Sequence, residues 1–503
     1  MPTASLNFLA FAAVVALVSQ AWNHRLWRGG IFLLANLAYL TTLGAQPAAF
    51  VPFALFLVGG FLAVKLSGRA KSGWVTGLLV VTIVLAFCWL KKYWFLSGLG
   101  FLGQTYVTIG LSYIFFRVLH LVIDAKDHEE LAAIDGLSYA NYTLNFTALV
   151  AGPIQRYEDF TKPLPPLDLV IAGRAIERIV IGMFKVLVVG GVLFQIHSKA
   201  SNALLGASTD PLGDGLIALT AYPIYLYFNF SGYMDIVIGA ARFIGLELPE
   251  NFNRPFSALN FMDFWARYHM TLSNWLRDYV YTPFLRLLMS RFPKPGLDPL
   301  LGTLAFFVTF FLIGIWHGPT PMFALYGLFL AVGISANKLY QTLLIKRWGR
   351  KQYKALAAKP VYQAGCRGLT FTWYAISMVC FWAGADEAKR LLAVLGPERV
   401  AEVVVLQILA ASLALSAIEA AREAALRLTW RGASVTLSRY TRTVWATVLV
   451  FLSVSAVLLN LIFNGVKSEK KAQCEIRKAG HDFDGRGGNE PPHDEMMRAA
   501  DLH

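Results

Sequence analysis

Phe306-Phe-Val-Thr-Phe-Phe-Leu-Ile-Gly-Ile-Trp-His-Gly-Pro-Thr-Pro-Met-Phe323 is apolar enough for a membrane helix, yet it carries a histidine, His317. Such a helix needs about 20 mostly apolar residues. A titratable ring at that depth is costly and marks a functional site by default. Gly314 and Gly318-Pro319 interrupt the helix there, and irregular backbone inside a membrane must be buried in protein or line a cavity. His317 is therefore expected to face a polar chamber. The plainer reading, a histidine that hydrogen-bonds across helices as packing glue, is the lesser one.

Outward from this stretch, the pattern repeats. The chain has 503 residues, 56% of them hydrophobic, above the roughly half expected of a soluble protein. Apolar runs recur at 4–22, 50–65, 74–94, 101–123, 176–196, 212–230, 231–246, 300–316, 322–340, 369–385, 403–420 and 444–463. They predict an all-α polytopic membrane protein with about ten to twelve membrane helices plus interfacial and re-entrant ones. No Lys or Arg precedes the first run, and no small-residue cleavage site stands before His24-Arg25, so it reads as a retained helix. The net charge of +14 sits mainly in loops. Lys346-Arg-Trp-Gly-Arg-Lys351, with Lys354 and Lys359, marks the cytoplasmic side. Because the basic residues flank spans, the partner they imply is the lipid bilayer and not nucleic acid. The four cysteines show neither CxxC pairing nor metal-ligand spacing, so no disulfide framework and no metal site are expected. Residues 1–466 read as one membrane domain and 467–503 as a polar, disordered tail.

Residues 247–295 are too charged to span. Within them, a helix over Asp263-Phe-Trp-Ala-Arg-Tyr-His-Met-Thr-Leu-Ser-Asn-Trp-Leu-Arg-Asp-Tyr-Val-Tyr281 puts Trp265, His269, Leu272, Ser273 and Leu276 on one face. Asp263, Arg267, Met270, Asn274, Arg277 and Asp278 fall on the other. That is an amphipathic interfacial helix with His269 turned inward. A lone histidine there is more often a core residue donating to a carbonyl, but Tyr268, Trp265, Trp275, Arg277 and Asp278 crowd around it. Elsewhere, His120 shares a face with Tyr113, Arg117 and Asp124 as an ion-pair network, and His197 reads as interfacial. Asp235 and Arg242 read as a buried pair. Pro223 and Asn229–Gly232 predict a broken backbone lining the same chamber, and 151–166 an interfacial loop. No nucleophile elbow, HExxH or P-loop occurs. A histidine near its ordinary pKa of about 6.5 can take a proton from a hydroxyl. That hydroxyl can attack an activated carbonyl directly, with no covalent enzyme intermediate and no permanently bound cofactor.

Six ordered motifs carry a resemblance: Gly110-Leu-Ser-Tyr-Ile-Phe-Phe-Arg117, Ala151-Gly-Pro-Ile-Gln-Arg-Tyr157, Tyr227-Phe-Asn-Phe-Ser-Gly-Tyr-Met-Asp235, Pro249-Glu-Asn-Phe-Asn-Arg-Pro-Phe256, Phe264-Trp-Ala-Arg-Tyr-His-Met-Thr-Leu-Ser-Asn-Trp-Leu-Arg-Asp-Tyr279 and Gly314-Ile-Trp-His-Gly318. From residue 109 to 382 the chain resembles the membrane-bound O-acyltransferases, MBOAT, of the bacterial polysaccharide-modifying branch. The resemblance implies a ring of tilted helices around a central funnel in the bacterial cytoplasmic (inner) membrane. It implies a cytoplasmic thioester donor, acyl-CoA or an acyl-carrier protein. The acceptor would be an exported cell-surface polysaccharide or an intermediary periplasmic acyl-transfer protein. His317 falls on the family's catalytic histidine and His269 on its second one. Trp316, Tyr268, Arg277, Asp278, Asn251 and Trp265 would shape the site, Tyr268 standing where the family usually has Trp. The alginate O-acetyltransferase type shares 249–256, which favours acetyl. Arg267–Ser273 and Ile313–Gly318 are closer to the teichoic-acid D-alanyl transferase, which keeps D-alanyl transfer as an alternative. A proton-coupled transporter or flippase is the reading from another class.

Overall fold

The computed structural model describes residues 3–455 except 45, 104, 431–432, 435–444 and 446. It forms two compact units, Met1–Val450 and Phe451–His503. The second is described only over 451–455, so the tail at 467–503 lies outside the described residues. Apart from a two-residue antiparallel pair, Thr429–Trp430 with Ala433–Ser434, the described regular structure is helical.

Six described helices are long and apolar enough to cross a membrane: Pro47–Ala70, Gly73–Leu90, Leu169–Leu205, Asp298–His317, Pro321–Ala357 and Ala385–Arg427. Five of them contain one of the apolar runs whole, and Gly73–Leu90 covers all but the last four residues of the run at 74–94. Their outward leucines, such as Leu55, Leu62, Leu304 and Leu413, are exposed, which only a hydrocarbon surrounding makes stable. The chain is an all-α multi-pass membrane protein. The runs at 212–230 and 231–246 are one helix, Pro211–Ile244, with Pro223 inside it and no break at Asn229–Gly232. A membrane helix tolerates proline where neighbouring groups satisfy the freed carbonyl. The run at 101–123 is helical only from Leu111, after Gly110 at φ +82°. Half of the run at 444–463 lies outside the described residues. The basic Lys346–Lys351 segment is not an extended loop: two helices within Pro321–Ala357 meet there across a kink at Gly349, whose φ of 82° and ψ of 157° are not helical.

Two close crossings position the site. A Cβ on Gly314 would lie 2.0 Å from the Cα of Gly327, so the Asp298–His317 and Pro321–Ala357 helices meet backbone to backbone. Gly314 therefore does not interrupt its helix, as its sequence setting suggested. It is a small residue that lets helices approach, and the helix ends at His317. Likewise a Cβ on Gly232 would lie 2.7 Å from the carbonyl oxygen of Gly182.

The segment 261–291 departs most from expectation. In place of one amphipathic helix it forms Phe261–Trp265, a turn, Met270–Leu276, a π-helical turn at Arg277–Tyr281, and Thr282–Arg291. The break is at His269, whose φ of 48° and ψ of 49° are left-handed. Of the inward face that the 3.6 period picks out, Trp265, His269, Leu272 and Leu276 are buried and Ser273 is half-buried, while Asn274 and Arg277 are exposed; the break buries Phe264, Tyr268, Thr271 and Trp275 as well. One side of this segment packs into the protein, and Gly152–Gln155 of the 151–157 loop are buried as well.

Candidate active site

His269 is built by a short antiparallel contact. Phe252 bridges Tyr268, with Asn253 N–H donating to the Arg267 carbonyl and Met270 N–H to the Asn251 carbonyl, both at 2.9 Å. This pairing holds His269 in a conformation that costs a non-glycine residue of order 1–3 kcal/mol and persists only when surroundings over-determine it. The polar network does so. Asn251, 1% exposed, accepts at Oδ1 from Thr271 N–H at 3.0 Å, Thr271 Oγ1 at 2.8 Å and His269 Nδ1 at 3.3 Å. Thr271 Oγ1 in turn accepts from Ile154 N–H at 3.1 Å, so the buried 151–157 loop anchors the same network.

These bonds fix a tautomer. A backbone N–H can only donate, so the Asn251 atom facing Thr271 is the oxygen, and the His269 nitrogen on that oxygen must carry the proton. Burial pushes the His269 imidazole down to about 3, so the ring is neutral near pH 7. Its Nε2 is then a bare lone pair, buried with no hydrogen-bond partner.

His317 is placed differently. It is the last residue of the Asp298–His317 helix and half-buried, its ring against Tyr326 at 5.5 Å and Phe381 at 5.2 Å between centroids. Tyr93 ties down this helix end, its hydroxyl donating to the Ile315 and Trp316 carbonyls at 3.0 and 3.2 Å. Trp316 lies against both histidines: its ring centroid is 4.8 Å from that of His317 and 6.4 Å from that of His269. The indole N–H is buried without an acceptor, an arrangement that costs about 1–3 kcal/mol in a closed interior. Phe230 covers His269 at 5.1 Å.

The structure thus brings His317, His269, Trp316 and Asn251 together. Tyr268 and Trp265 are one layer out, packed edge to face at 5.7 Å, with Tyr268 on Phe252 and Tyr374 and Trp265 on Phe310. Arg277 and Asp278 serve a separate cluster. Asp278 pairs with Arg277 and with Arg156, whose guanidinium lies 5.3 Å from the Tyr279 ring. Tyr279 donates to Asp124 at 2.5 Å, and His120 Nδ1 is 2.8 Å from the same oxygen. His120 and Asp124 pair as their spacing suggests. Arg117 does not join them: it donates to the Tyr142, Thr143 and Ala148 carbonyls. Asp235 pairs with Arg178 at 3.0 Å and Lys185 at 2.6 Å; the expected Arg242 bonds the Pro165 carbonyl instead. His197 is buried against Tyr222, Trp382 and the Ala218 carbonyl. Sequence reading missed Thr271, Tyr93, Phe230 and Phe381. A threonine two residues after the histidine was the only local signal, and the others come from distant segments.

A cavity of about 230 Å³ adjoins Asn251, lined also by Arg178, Lys185, Asp235 and Arg254. It is polar and lies on the Asn251 side of His269.

Residues 73–378 match the family described as MBOAT, membrane-bound O-acyltransferase. A teichoic acid D-alanyltransferase of Bacillus subtilis is 31% identical over 329 residues, 59% of this chain and 78% of that protein. Another, of Lacticaseibacillus rhamnosus, is 27% identical over 354 residues, 65% and 84% of the two chains. A Pseudomonas syringae pv. tomato protein named "Probable alginate O-acetylase AlgI" is 30% identical over 241 residues, 47% of this chain and 44% of that one.

Proposed function

The chain belongs to the membrane-bound O-acyltransferase family and is a multi-pass acyltransferase, and we propose that it moves a short acyl group from a thioester to a hydroxyl of an exported polysaccharide. The observation that carries this reading is the pair of histidines on either side of Trp316, one with an unpartnered lone pair at Nε2.

In the proposed reaction, His317 is the general base. It takes the proton of the attacking hydroxyl as the oxygen forms a bond to the thioester carbonyl carbon. Collapse of the tetrahedral intermediate breaks the C–S bond, and the imidazolium returns the proton to the departing thiolate. General bases of this kind contribute about 10²–10⁴-fold. His269 is too weak a base, since burial holds it neutral. Its Nε2 accepts from a neighbouring hydroxyl of the saccharide and so fixes which oxygen reaches His317. As an acceptor, Nε2 does not stabilise the carbonyl oxyanion.

The donor is acyl-CoA or an acyl-carrier thioester entering from the side of the basic 346–359 segment, and the membrane is the bacterial inner membrane. The rings against both histidines suit an uncharged acetyl group. A D-alanyl group is favoured by the longer match to the two D-alanyltransferases. Reconstituted protein given radiolabelled acetyl-CoA or a D-alanyl-carrier thioester, with a panel of glycan acceptors, separates the two. A His317→Ala protein that transfers at the wild-type rate would remove His317 from the mechanism. Movement of substrate across liposomes without ester formation would favour a transporter.

A further inference from the structure

A neutral lone pair on His269 cannot serve as the donor for the charge that develops on the carbonyl oxygen, and beside it the Asn251 amide N–H group and the Trp316 indole N–H are buried without acceptors. Acyl transfer gains most from a fixed donor aimed at that charge. Among the described residues, three tryptophans keep buried indole N–H groups without acceptors: Trp265, Trp275 and Trp316. Trp265 packs among Phe261, Phe264, Tyr268 and Phe310, and Trp275 between Phe116 and Tyr279. Trp316 alone of the three packs against the histidines, and it touches both.

We propose that the Trp316 indole N–H is the oxyanion donor of this site. The inference rests on the acyl-transfer reading above. Its geometric basis is that the ring cannot easily turn away. Tyr113 closes on it edge to face at 5.8 Å, Phe116 lies at 5.1 Å, and Tyr93 pins the backbone carbonyl of the same residue. None of these rings accepts the N–H, which leaves it available to a substrate atom. The two orphaned atoms are complementary. His269 Nε2 lacks a donor, which a hydroxyl supplies, and Trp316 Nε1 lacks an acceptor, which the thioester carbonyl supplies. In the step itself, the carbonyl π pair moves onto oxygen as the hydroxyl oxygen adds to carbon, and the N–H bond to that oxygen shortens. No proton leaves the indole. When the C–S bond breaks, the pair returns and the oxygen is again a carbonyl acceptor. A donor already in place needs no reorganisation at that moment.

The test separates this role from acceptor binding and from packing. Trp316→Phe, and 3-benzothienylalanine at the same position, which replaces the N–H by sulfur in an isosteric ring, are compared with wild type. The thioester is whichever one wild type turns over, acetyl-CoA or D-alanyl-carrier. Two rates are read: acyl transfer to glycan, and hydrolysis of the thioester when water replaces the acceptor. Both pass through the same oxyanion, so both should fall together, on the order of 10²-fold, with KM for the thioester and the melting temperature unchanged. Transfer falling while hydrolysis holds would assign the N–H to the acceptor and overturn the proposal. Wild-type rates in the benzothienyl protein would overturn it also, and that variant decides if Trp316→Phe fails to fold. Wild-type protein inactive on both thioesters sinks the acyl-transfer reading itself, whereas activity that His317→Ala abolishes and the benzothienyl change spares sinks only the role of Trp316.

Discussion

His269 and His317 face the same indole from opposite kinds of structure. His269 stands at a left-handed break between two short helices, its orientation set by a chain of hydrogen bonds through Asn251, Thr271 and Ile154. His317 is the end of an unbroken 20-residue helix, set by a glycine crossing and by aromatic rings. The first arrangement specifies a protonation state, because hydrogen bonds distinguish Nδ1 from Nε2. The second specifies a position, at the end of a long helix and against two rings. A base must be held within reach of the proton it takes, and a substrate-orienting acceptor must present one particular nitrogen.

The sharpest way to break this comparison is His317→Gln. It keeps a polar side chain at the helix end but removes the base, so transfer should fall about 10²–10⁴-fold with unchanged melting in detergent. A loss below tenfold would remove His317 as the base. Next, Gly314→Val overpacks the helix crossing where a Cβ has no room. Such changes cost about 1–3 kcal/mol, so both the melting temperature and transfer should drop, whereas Gly245→Ala, away from any neighbour within 4 Å but at φ +89°, should lower stability alone. Asn251→Ala frees the His269 tautomer and strands the Thr271 N–H. A buried donor left unpaired costs about 1–3 kcal/mol, and transfer should fall about tenfold through a wrongly presented imidazole, read as a change in acceptor KM and kcat together.

A smaller effect concerns pH. The folded His269 titrates far below its unfolded value of about 6.5. Its contribution is therefore complete above pH 6.5 and is lost as pH falls from there towards 3, because the unfolded chain binds the proton first. Melting temperature should decline over that window, and the decline should shrink in His269→Asn, a residue that accepts left-handed geometry. An identical slope in the variant would mean that the ring is not buried neutral. The least effect is expected of Tyr279→Phe. It removes one bond to Asp124 in the cluster beside the site and should change stability by about 1 kcal/mol, with transfer nearly intact.

The pair of histidines and the inward set around His269 were legible in the chain, because helical period sorts residues by face even when the helix is broken. The break itself was not. Nothing local in Tyr268-His269-Met270 announces a positive φ, which is imposed by the strand-like segment 251–253 pairing from outside. Asp235 shows the same limit. Spacing suggested Arg242 on its own helix, but Arg178 and Lys185 reach it from a neighbour through the Gly182–Gly232 crossing. Pro223 looked like a break because proline removes a helix bond, yet the surrounding protein absorbs that loss.

The sequence by itself determined that this chain lives in a membrane, that its family is one of acyltransferases, and that a histidine has been placed where hydrocarbon should be. Those follow from composition and motif order, which depend on each residue alone or on near neighbours. Only the tertiary structure decided which nitrogen of His269 holds its proton, and that Trp316 stands beside both histidines with an unanswered N–H. Hydrogen bonds and close crossings join residues far apart in the chain, and no local pattern encodes their geometry.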